Sequence, residues 1–506
     1  MQYALPTSIW GRFKRTFIGD KAFYRTVLSL ILPVVVQNLA SNMVILLNNV
    51  MVGSLGTLHM SGVAIANQLI FVFNLTVFGA ISGAGIYGAQ FSGAGDWEGF
   101  RKTFRFKLLV ALGITVAGAA ILITWPDTLI SLYLTGEGRA ADAADMLSYG
   151  KEYLHIMLLG FLPYAITQCY SGSLRETGDT LPPMVASVTA VLTDLLLNFL
   201  LIHGRLGLPA LGVRGAAIAT VTSRLIELGI ILIWTHTNHK KFFFMKGLYR
   251  SLRIGSELAL NIAGKSLPLL LNELLWSLGV TTLAQIFSTR GLMVVAGLNI
   301  ASTISNLFNV FFISMGSAVA VMVGQALGAN DIPRARGYVW KLLFFSLSVC
   351  AFFGSALFIA APSIPNVYNT EPEVKRLATV FLRTSAVLMA FSATSHCCYF
   401  TIRSGGKTFI TMLFDSVFSW AICVPYTYLM VHHTALPIDL LYPLCNLTEL
   451  VKCTIGLVVV RTGYWARNMT GMPMAEESDM QVEENAVLPE ISSTAEEENG
   501  ALPESP

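Results

Sequence analysis

Hydrophobic residues along this chain fall into long runs that are separated by short polar or charged segments. Because a helix needs about 20 apolar residues to cross a bilayer and satisfies its own backbone hydrogen bonds there, the pattern predicts an all-α polytopic membrane protein. Twelve transmembrane helices are predicted, over approximately residues 26–50, 58–90, 104–126, 146–172, 183–203, 212–236, 260–289, 293–325, 338–361, 377–402, 409–431 and 437–461.

The first part of this pattern occurs twice. Residues 32–101 align without a gap with the residues 235 positions further on, with about fifteen identities in about seventy positions. The identities include polar and special residues that hydrophobicity alone would not align, namely Pro33 with Pro268, Gly62 with Gly297, Asn74 with Asn309, Gln90 with Gln325 and Asp96 with Asp331. The repeat predicts two pseudo-symmetric six-helix lobes. Since six is even, both lobes run through the membrane in the same direction.

Composition and charge agree with this interpretation. Charged residues make up 12% of the chain and hydrophobic residues 54%, against about 25% and 45–50% in soluble domains. If the N-terminus is inside, roughly 23 of the basic residues fall in cytoplasmic segments and about eight outside. We therefore expect a multi-pass membrane protein with both termini in the cytoplasm, and the absence of a targeting segment points to the inner (plasma) membrane.

The segments between and around the spans suggest five regions. Residues 470–506 hold ten acidic residues and no Lys or Arg, which is typical of a disordered tail. A basic, aromatic linker at 237–259 joins the two lobes, and it is either an amphipathic helix on the anionic leaflet or a plain connector. The predicted regions are a basic cytoplasmic N-terminus (1–25), the N-lobe (26–236), a cytoplasmic linker (237–259), the C-lobe (260–465) and an acidic disordered cytoplasmic tail (466–506).

The motifs of common membrane-associated chemistry are missing from the sequence. GGKT at Gly405 resembles the end of a phosphate-binding loop, but Thr401 stands where such a loop needs Gly. The seven cysteines have no metal-ligand spacing, and no catalytic motif lies in a suitable context. We expect no enzyme, no cofactor and no nucleic-acid partner, and any transport must be driven by an ion gradient.

Six strings together resemble the multidrug and toxic compound extrusion (MATE) family. They are NNVMVGSLGTLHMSGVAIANQ from Asn48, GAQFSGAGDWEGFRK from Gly88, RETGDT from Arg175, LNELLWSLG from Leu271, VGQALGANDIPRARG from Val323 and RSGGKT from Arg403. The resemblance implies two six-helix lobes around a central cavity that opens to either side in turn. It implies a secondary exporter of cationic or amphipathic organic compounds in exchange for Na⁺ or H⁺, which we expect to act as a monomer in the lipid bilayer.

Two other functions stay open at this stage. A flippase for a lipid-linked saccharide would share this fold, although a long and strongly cationic cavity is expected there. A membrane sensor without flux would need a signalling domain, and the acidic tail is too short to be one. Both are alternatives to an antiporter.

Carboxylates inside the spans are the candidate ion-coupling residues, because a charge at mid-bilayer costs about 2.5–3.5 kcal/mol. Glu273 and Asp415 match acidic positions that the family uses as its cation site, so Na⁺ or H⁺ could bind there; otherwise neighbouring hydroxyls or amides satisfy them. Where many relatives have an acid on the first helix, this chain has Asn48 and Asn49. Asp194 either replaces that acid or forms a packing hydrogen bond, for example to Asn198 four residues on.

Polar residues at helical spacing mark the expected wall of the substrate cavity. Such stripes must face protein or water rather than lipid, although hydrogen bonds between packed helices are the alternative. The predicted cavity residues are Asn38, Asn42, Asn49, Asn67, Phe71, Asn74, Asn198, Trp276, Ser302, Asn306 and Asn309. Pro33, Pro268 and Gly83 are predicted sites of bending.

Other charges in the spans have a possible partner within their own helix. Arg224 with Glu227, and Glu449 with Lys452, are three residues apart. Such pairs can neutralise one another, so we expect them to be local ion pairs without a role in transport.

Overall fold

The structure, a computed structural model, describes residues 9–133, 140–207, 209–251 and 253–471. All regular secondary structure in these ranges is helical. The first half contains α1 Ile9–Phe17, α2 Lys21–Gly53, α3 Thr57–Ala94, α4 Trp97–Thr124, α5 Pro126–Ser131, α6 Ala140–Met157, α7 Phe161–Glu176, α8 Leu181–His203 and α9 Gly212–Thr237.

The second half follows the same order of long helices. It contains α10 Ser256–Ser288, α11 Leu292–Gly328, α12 Ile332–Ala360, α13 Pro372–Ser404, α14 Thr408–Met412, α15 Val424–His433, α16 Ile438–Asn446 and α17 Thr448–Thr462. Two π-helical turns, Leu413–Val417 and Ser419–Cys423, join α14 to α15.

The predicted all-α, twelve-helix fold is confirmed. Eleven helical segments among the described residues are long and apolar enough to cross a membrane. The remaining predicted span, the fourth along the chain at 146–172, corresponds to α6 and α7, which a 3-10 turn at Leu158–Gly160 joins. Helices α6 and α7 carry several charged residues, including Lys151, Glu152 and Glu176, and they are not among the eleven apolar segments.

The internal repeat is visible in the backbone as well as in the sequence. Gly56 and Gly291 precede α3 and α11, and each has φ of 120°, a conformation that favours glycine. Asp96 and Asp331 are the N-caps of α4 and α12, and their side chains accept backbone N–H groups of the first turn. Equivalent residues therefore start equivalent helices in the two lobes.

The two lobes meet along the first two long helices of each half. Helix α3 packs against α10 and α11, and α11 also packs against α2. Within the lobes, α8 packs against α9 and α11 against α13. Residues up to Thr470 form one compact unit, so the lobes share an extensive interface.

We call the end of the bundle that carries α1 and the linker the terminal end. Phe13 and Phe17 of α1 contact Phe344 of α12 there. The linker forms two 3-10 turns, Phe243–Met245 and Leu248–Arg250, rather than an amphipathic helix. Its Phe244 is fully buried against α4, so the linker is a packed connector.

The lobes approach most closely at the terminal end, through a pair of contacts related by the repeat. A Cβ atom at Gly93 would collide with the carbonyl oxygen of Gln325, and one at Gly328 would collide with that of Gln90. The Gln90 side chain donates to Ser404 O (2.9 Å), and the Gln325 side chain donates to Glu176 O (2.9 Å). These four residues, Gly93, Gly328, Gln90 and Gln325, are the terminal-end contact.

The segment after α17 belongs partly to this contact. Trp465 is buried, Arg467 O accepts a hydrogen bond from Gln90, and Met469 N donates to Gln90 Oε1. Residues 466–470, which the sequence assigns to the acidic tail, therefore lie against α3. The rest of the predicted tail, 472–506, lies outside the described residues.

Candidate ion and substrate sites

A cavity of about 570 Å³ lies inside the first lobe, between α2, α3, α6, α7, α8 and α9. Six of the residues predicted from the sequence line it, namely Asn49, Asn67, Phe71, Asn74, Asp194 and Asn198. Tyr153 and Tyr164 contribute aromatic surface, and Arg224 and Glu227 contribute charge. A cavity with aromatic walls, several amides and two carboxylates is suited to a flat organic cation.

Asp194 is buried in this cavity wall and is held by α2. Asn48 Nδ2 donates to Asp194 Oδ2 at 2.7 Å, and Asn198 Nδ2 donates to Asn48 Oδ1 at 3.1 Å. Asp194 is 3% exposed, and its Oδ1 accepts no hydrogen bond from the residues that the structure describes. Asn48 thus positions the acid of α8, and one carboxylate oxygen accepts no hydrogen bond within the described residues.

A second polar cluster lies in the second lobe, where α10 meets the π-helical turns. Asn272 Nδ2 donates to Asp415 Oδ2 at 3.0 Å and to the Tyr399 hydroxyl at 3.3 Å. The Tyr399 hydroxyl donates to Glu273 Oε1 at 3.4 Å, and Ser416 Oγ donates to Asn272 Oδ1 at 2.7 Å. The structure therefore brings Glu273 and Asp415 into one network through Asn272 and Tyr399.

Asp415 has a cationic partner that the sequence analysis missed. Lys452 Nζ of α17 lies 2.6 Å from Asp415 Oδ1, and both side chains are largely buried. The prediction of a local pair is incomplete: Lys452 does interact electrostatically with Glu449, but it makes its salt bridge with Asp415, which a π-helical turn presents. The two residues are 37 positions apart, and only the presence of both charges inside spans could have suggested the pair.

Arg224 also differs from the local ion pair that was expected. Its Nη1 donates to Gly160 O at 3.4 Å, at the 3-10 turn between α6 and α7. Its guanidinium lies over the Tyr164 ring, 5.0 Å from the centroid. Arg224 thus connects α9 to the break in the fourth span instead of pairing with Glu227 alone.

The other predicted cavity residues lie elsewhere. Asn38 Nδ2 donates to Ser314 Oγ of α11 at 3.3 Å, across the lobe interface, and Ser302 Oγ donates to Asn299 O of its own helix. Trp276 is 43% exposed on α10. Asn42, Trp276, Ser302, Asn306 and Asn309 are not among the residues that line the first-lobe cavity.

The predicted bending sites lie inside long helices. α2 continues through Pro33 and α10 through Pro268. A Cβ atom at Gly83 would collide with Ser266 of α10, so Gly83 permits close packing of the two lobes. Bending at any of these three residues stays a prediction.

Two lobes with buried polar groups at the level of the spans define a polytopic membrane transporter. The sequence model of the MatE family matches residues 33–200 and again residues 268–429. The two matches begin at Pro33 and Pro268, which are an equivalent pair of the internal repeat. They cover more than half of the chain, which therefore belongs to the MATE family of transporters.

Individual relatives extend over most of the chain. It is similar to a probable multidrug resistance protein NorM of Thermotoga maritima, with 24% identity over 443 residues, 88% of this chain and 93% of the relative. It is also similar to the multidrug resistance protein PmpM of Pseudomonas aeruginosa, with 26% identity over 419 residues, 81% of this chain and 84% of the relative.

Solved structures share the fold. A crystal structure of MATE in complex with MaL6 matches with a TM-score of 0.78 at 19% identity, over 88% of this chain and 96% of that chain. A MOP superfamily transporter from Pyrococcus furiosus matches with a TM-score of 0.77 at 20% identity, over 90% of this chain and 98% of that chain. These matches agree with the two-lobe architecture.

Proposed function

We propose that this protein is a multidrug exporter that exchanges organic cations or amphipathic compounds for protons by alternating access. The observation that carries the proposal is the buried Asp194, which borders the first-lobe cavity and has one unpaired oxygen. The names of the relatives, which are multidrug resistance proteins, support drug export. A cation in the cavity and a proton on Asp194 would compete for the same carboxylate.

A like charge beside Asp415 and the simpler requirements of a proton favour a proton over Na⁺ as the coupling ion. Asn48 Nδ2 approaches Asp194, the Tyr399 hydroxyl approaches Glu273, and the Lys452 ammonium approaches Asp415. Na⁺ at Asp415 would meet the like charge of Lys452. Na⁺ at Asp194 would draw its oxygen ligands from amides such as those of Asn74 and Asn198, whose Oδ1 atoms accept no hydrogen bond within the described residues. A carboxyl that only gains and loses a proton needs no such ligand shell.

Closure at the terminal end supports alternating access. The terminal-end contact holds the two lobes together, so a cavity can exchange solutes with that side only if the contact separates. We place the terminal end in the cytoplasm, since Arg101, Arg105, Lys246 and Arg253 lie there and basic residues favour the cytoplasmic side. The protein would then occupy the inner membrane with its N-terminus inside.

Efflux from reconstituted vesicles tests the proposal. Ethidium movement is measured under a pH gradient and, separately, under a Na⁺ gradient, for the wild type and for Asp194→Asn. We expect movement under the pH gradient alone and its loss in Asp194→Asn, because an amide cannot carry the proton. Asp127→Asn, which changes an exposed acid of the same lobe, is the control and should retain efflux.

Each contrary result has a separate meaning. Movement that follows the Na⁺ gradient alone would contradict proton coupling. Movement under neither gradient would contradict secondary export. Glu273→Gln is measured in parallel: efflux that is lost there and retained in Asp194→Asn would move the coupling site to the second lobe.

A further inference from the structure

A second cavity, of about 290 Å³, lies between the lobes next to the terminal-end contact. Its wall includes residues of α2, α3, α7, α11 and α13, so both lobes contribute to it. Two arginines line it, Arg175 at the end of α7 and Arg403 at the end of α13. It therefore presents two cationic side chains, whereas the first-lobe cavity presents Arg224 together with two carboxylates.

The two arginines occupy equivalent places in the repeat. Arg175 begins RETGDT and Arg403 begins RSGGKT, each in the last turn of its helix. The following residues, Glu176 and Ser404, supply the carbonyl groups that accept hydrogen bonds from Gln325 and Gln90. Each lobe thus brings one arginine to the same cavity, directly beside the contact that closes the terminal end.

Both guanidinium groups keep an N–H donor without an acceptor. Arg403 is 9% exposed, and its Nη1 has no hydrogen-bond partner within the described ranges of the chain. The same holds for Arg175 Nε, although Arg175 Nη2 donates to Gln37 Oε1 at 3.1 Å. A buried donor that lacks an acceptor is costly, so an acceptor supplied by a ligand would be favoured here.

The charge balance of the wall favours an anion. Glu176 is the acidic residue of the lining, and Lys107 Nζ already contacts both of its oxygens at 2.6 and 2.5 Å. Glu273 interacts electrostatically with Arg403, and Glu227 with Arg175, but neither glutamate belongs to the lining. Two arginines therefore line the cavity, while its one carboxylate is paired with Lys107.

Aromatic rings flank one of these charges. The Arg403 guanidinium lies 5.9 Å from the centroid of Phe78 in the first lobe and 5.2 Å from that of Phe400 in its own lobe. Arginine is well suited to bidentate binding of a carboxylate, and the rings offer surface to an aromatic body. We propose that this inter-lobe cavity binds the carboxylate of an amphipathic aromatic acid or zwitterion through Arg175 and Arg403.

This inference rests on the proposed export function and widens its substrate class to solutes that carry an acidic group. A carboxylate held by one arginine from each lobe would link the lobes while the terminal end is closed. Separation of the terminal-end contact would separate the arginines and release the acid. The cavity would thus serve acids, and the first-lobe cavity would serve cations.

Matched ligands test the site directly. Binding of naphthaleneacetic acid and of its neutral amide to the purified full-length protein is measured by equilibrium dialysis. We expect the wild type to prefer the acid by about tenfold, the effect of one charge-assisted hydrogen bond. In Arg403→Gln and in Arg175→Gln the ratio of the two affinities should fall to about one.

Lys407→Gln is the matched control, because it removes a charge from the same RSGGKT string but outside the cavity lining. Arg403→Lys, which keeps the charge, replaces Arg403→Gln if the latter does not fold, and should keep part of the preference. Equal binding of acid and amide by the wild type would overturn the proposal, and so would a preference that survives both glutamine variants. Ethidium efflux by the same preparations reports separately on the export function.

Discussion

The two lobes are copies of one unit, yet they treat their buried aspartates differently. Asp194 of the first lobe accepts a hydrogen bond from an amide and borders a large cavity. Asp415 of the second lobe is held by the ammonium group of Lys452. An ion-paired carboxylate is neutralised by direct contact, whereas Asp194 has an amide in contact and the Arg224 charge only at longer range. The comparison teaches that one buried aspartate has a cationic side chain in salt-bridge contact and the other, within the described residues, does not.

The depth of the two acids differs as well. Asp194 lies fourteen residues after Thr180, and Asp415 lies seven after Thr408, the equivalent threonine of the repeat. At a rise of about 1.5 Å per residue, the seven-residue difference amounts to roughly 10 Å along the helix. The two lobes therefore have the same arrangement of helices, but their polar sites lie at different depths and use different residues.

Removal of Lys452 should have the largest effect on stability. In Lys452→Met the Asp415 carboxylate stays buried without its partner, which costs about 3 kcal/mol for a buried ion pair. We expect a clearly lower midpoint of thermal unfolding in detergent. The double variant Lys452→Met with Asp415→Asn should recover most of the loss, and a double variant as unstable as the single one would contradict the pairing.

The terminal-end contact is formed by residues that are equivalent in the internal repeat. A substitution in either lobe should therefore have a similar effect on it. Gly328→Ala and Gly93→Ala would each overpack it, at a cost of about 1–3 kcal/mol, which shifts the population roughly 5- to 150-fold toward the open arrangement. Distances between spin labels at positions 102 and 334 should lengthen. Gly113→Ala, at a glycine with open space around it, should leave them unchanged.

Replacement of Asn48 should have a smaller effect than a change at Lys452 or at the terminal-end contact. Asn48→Ala removes the donor to Asp194 and the acceptor of Asn198, which should cost about 1 kcal/mol. A small drop in the thermal midpoint and a few-fold slower ethidium efflux are expected. Asn42→Ala on the same helix is the control, and an equal effect there would show that the contact with Asp194 has no special role.

The sequence predicted the fold well because the decisive signals are local. Apolar runs mark the spans, and the 235-residue repeat marks the lobes down to the turn glycines Gly56 and Gly291 and the caps Asp96 and Asp331. The span formed by α6 and α7 has a weaker hydrophobic pattern, because it carries charged residues and is interrupted by a 3-10 turn. The Gly160 carbonyl of that turn accepts a hydrogen bond from Arg224.

The polar sites were harder to predict because they join distant parts of the chain. The acids could be chosen, since buried carboxylates are rare in spans, but their partners could not. Asn48 and Asp194 are 146 residues apart, and Lys452 reaches Asp415 only because α17 packs beside the π-helical turn. Arg175 and Arg403 each begin one of the quoted sequence motifs. That they line the same cavity depends on how the two lobes pack together.

The most direct test of the account compares the two aspartates in one assay. Ethidium efflux driven by a pH gradient is measured in vesicles that contain Asp194→Asn or the double variant Asp415→Asn with Lys452→Met. Because the exchanged proton is placed on Asp194, efflux should vanish in the first variant and persist in the second. Efflux that persists in Asp194→Asn and vanishes in the double variant would contradict the account and place coupling in the second lobe.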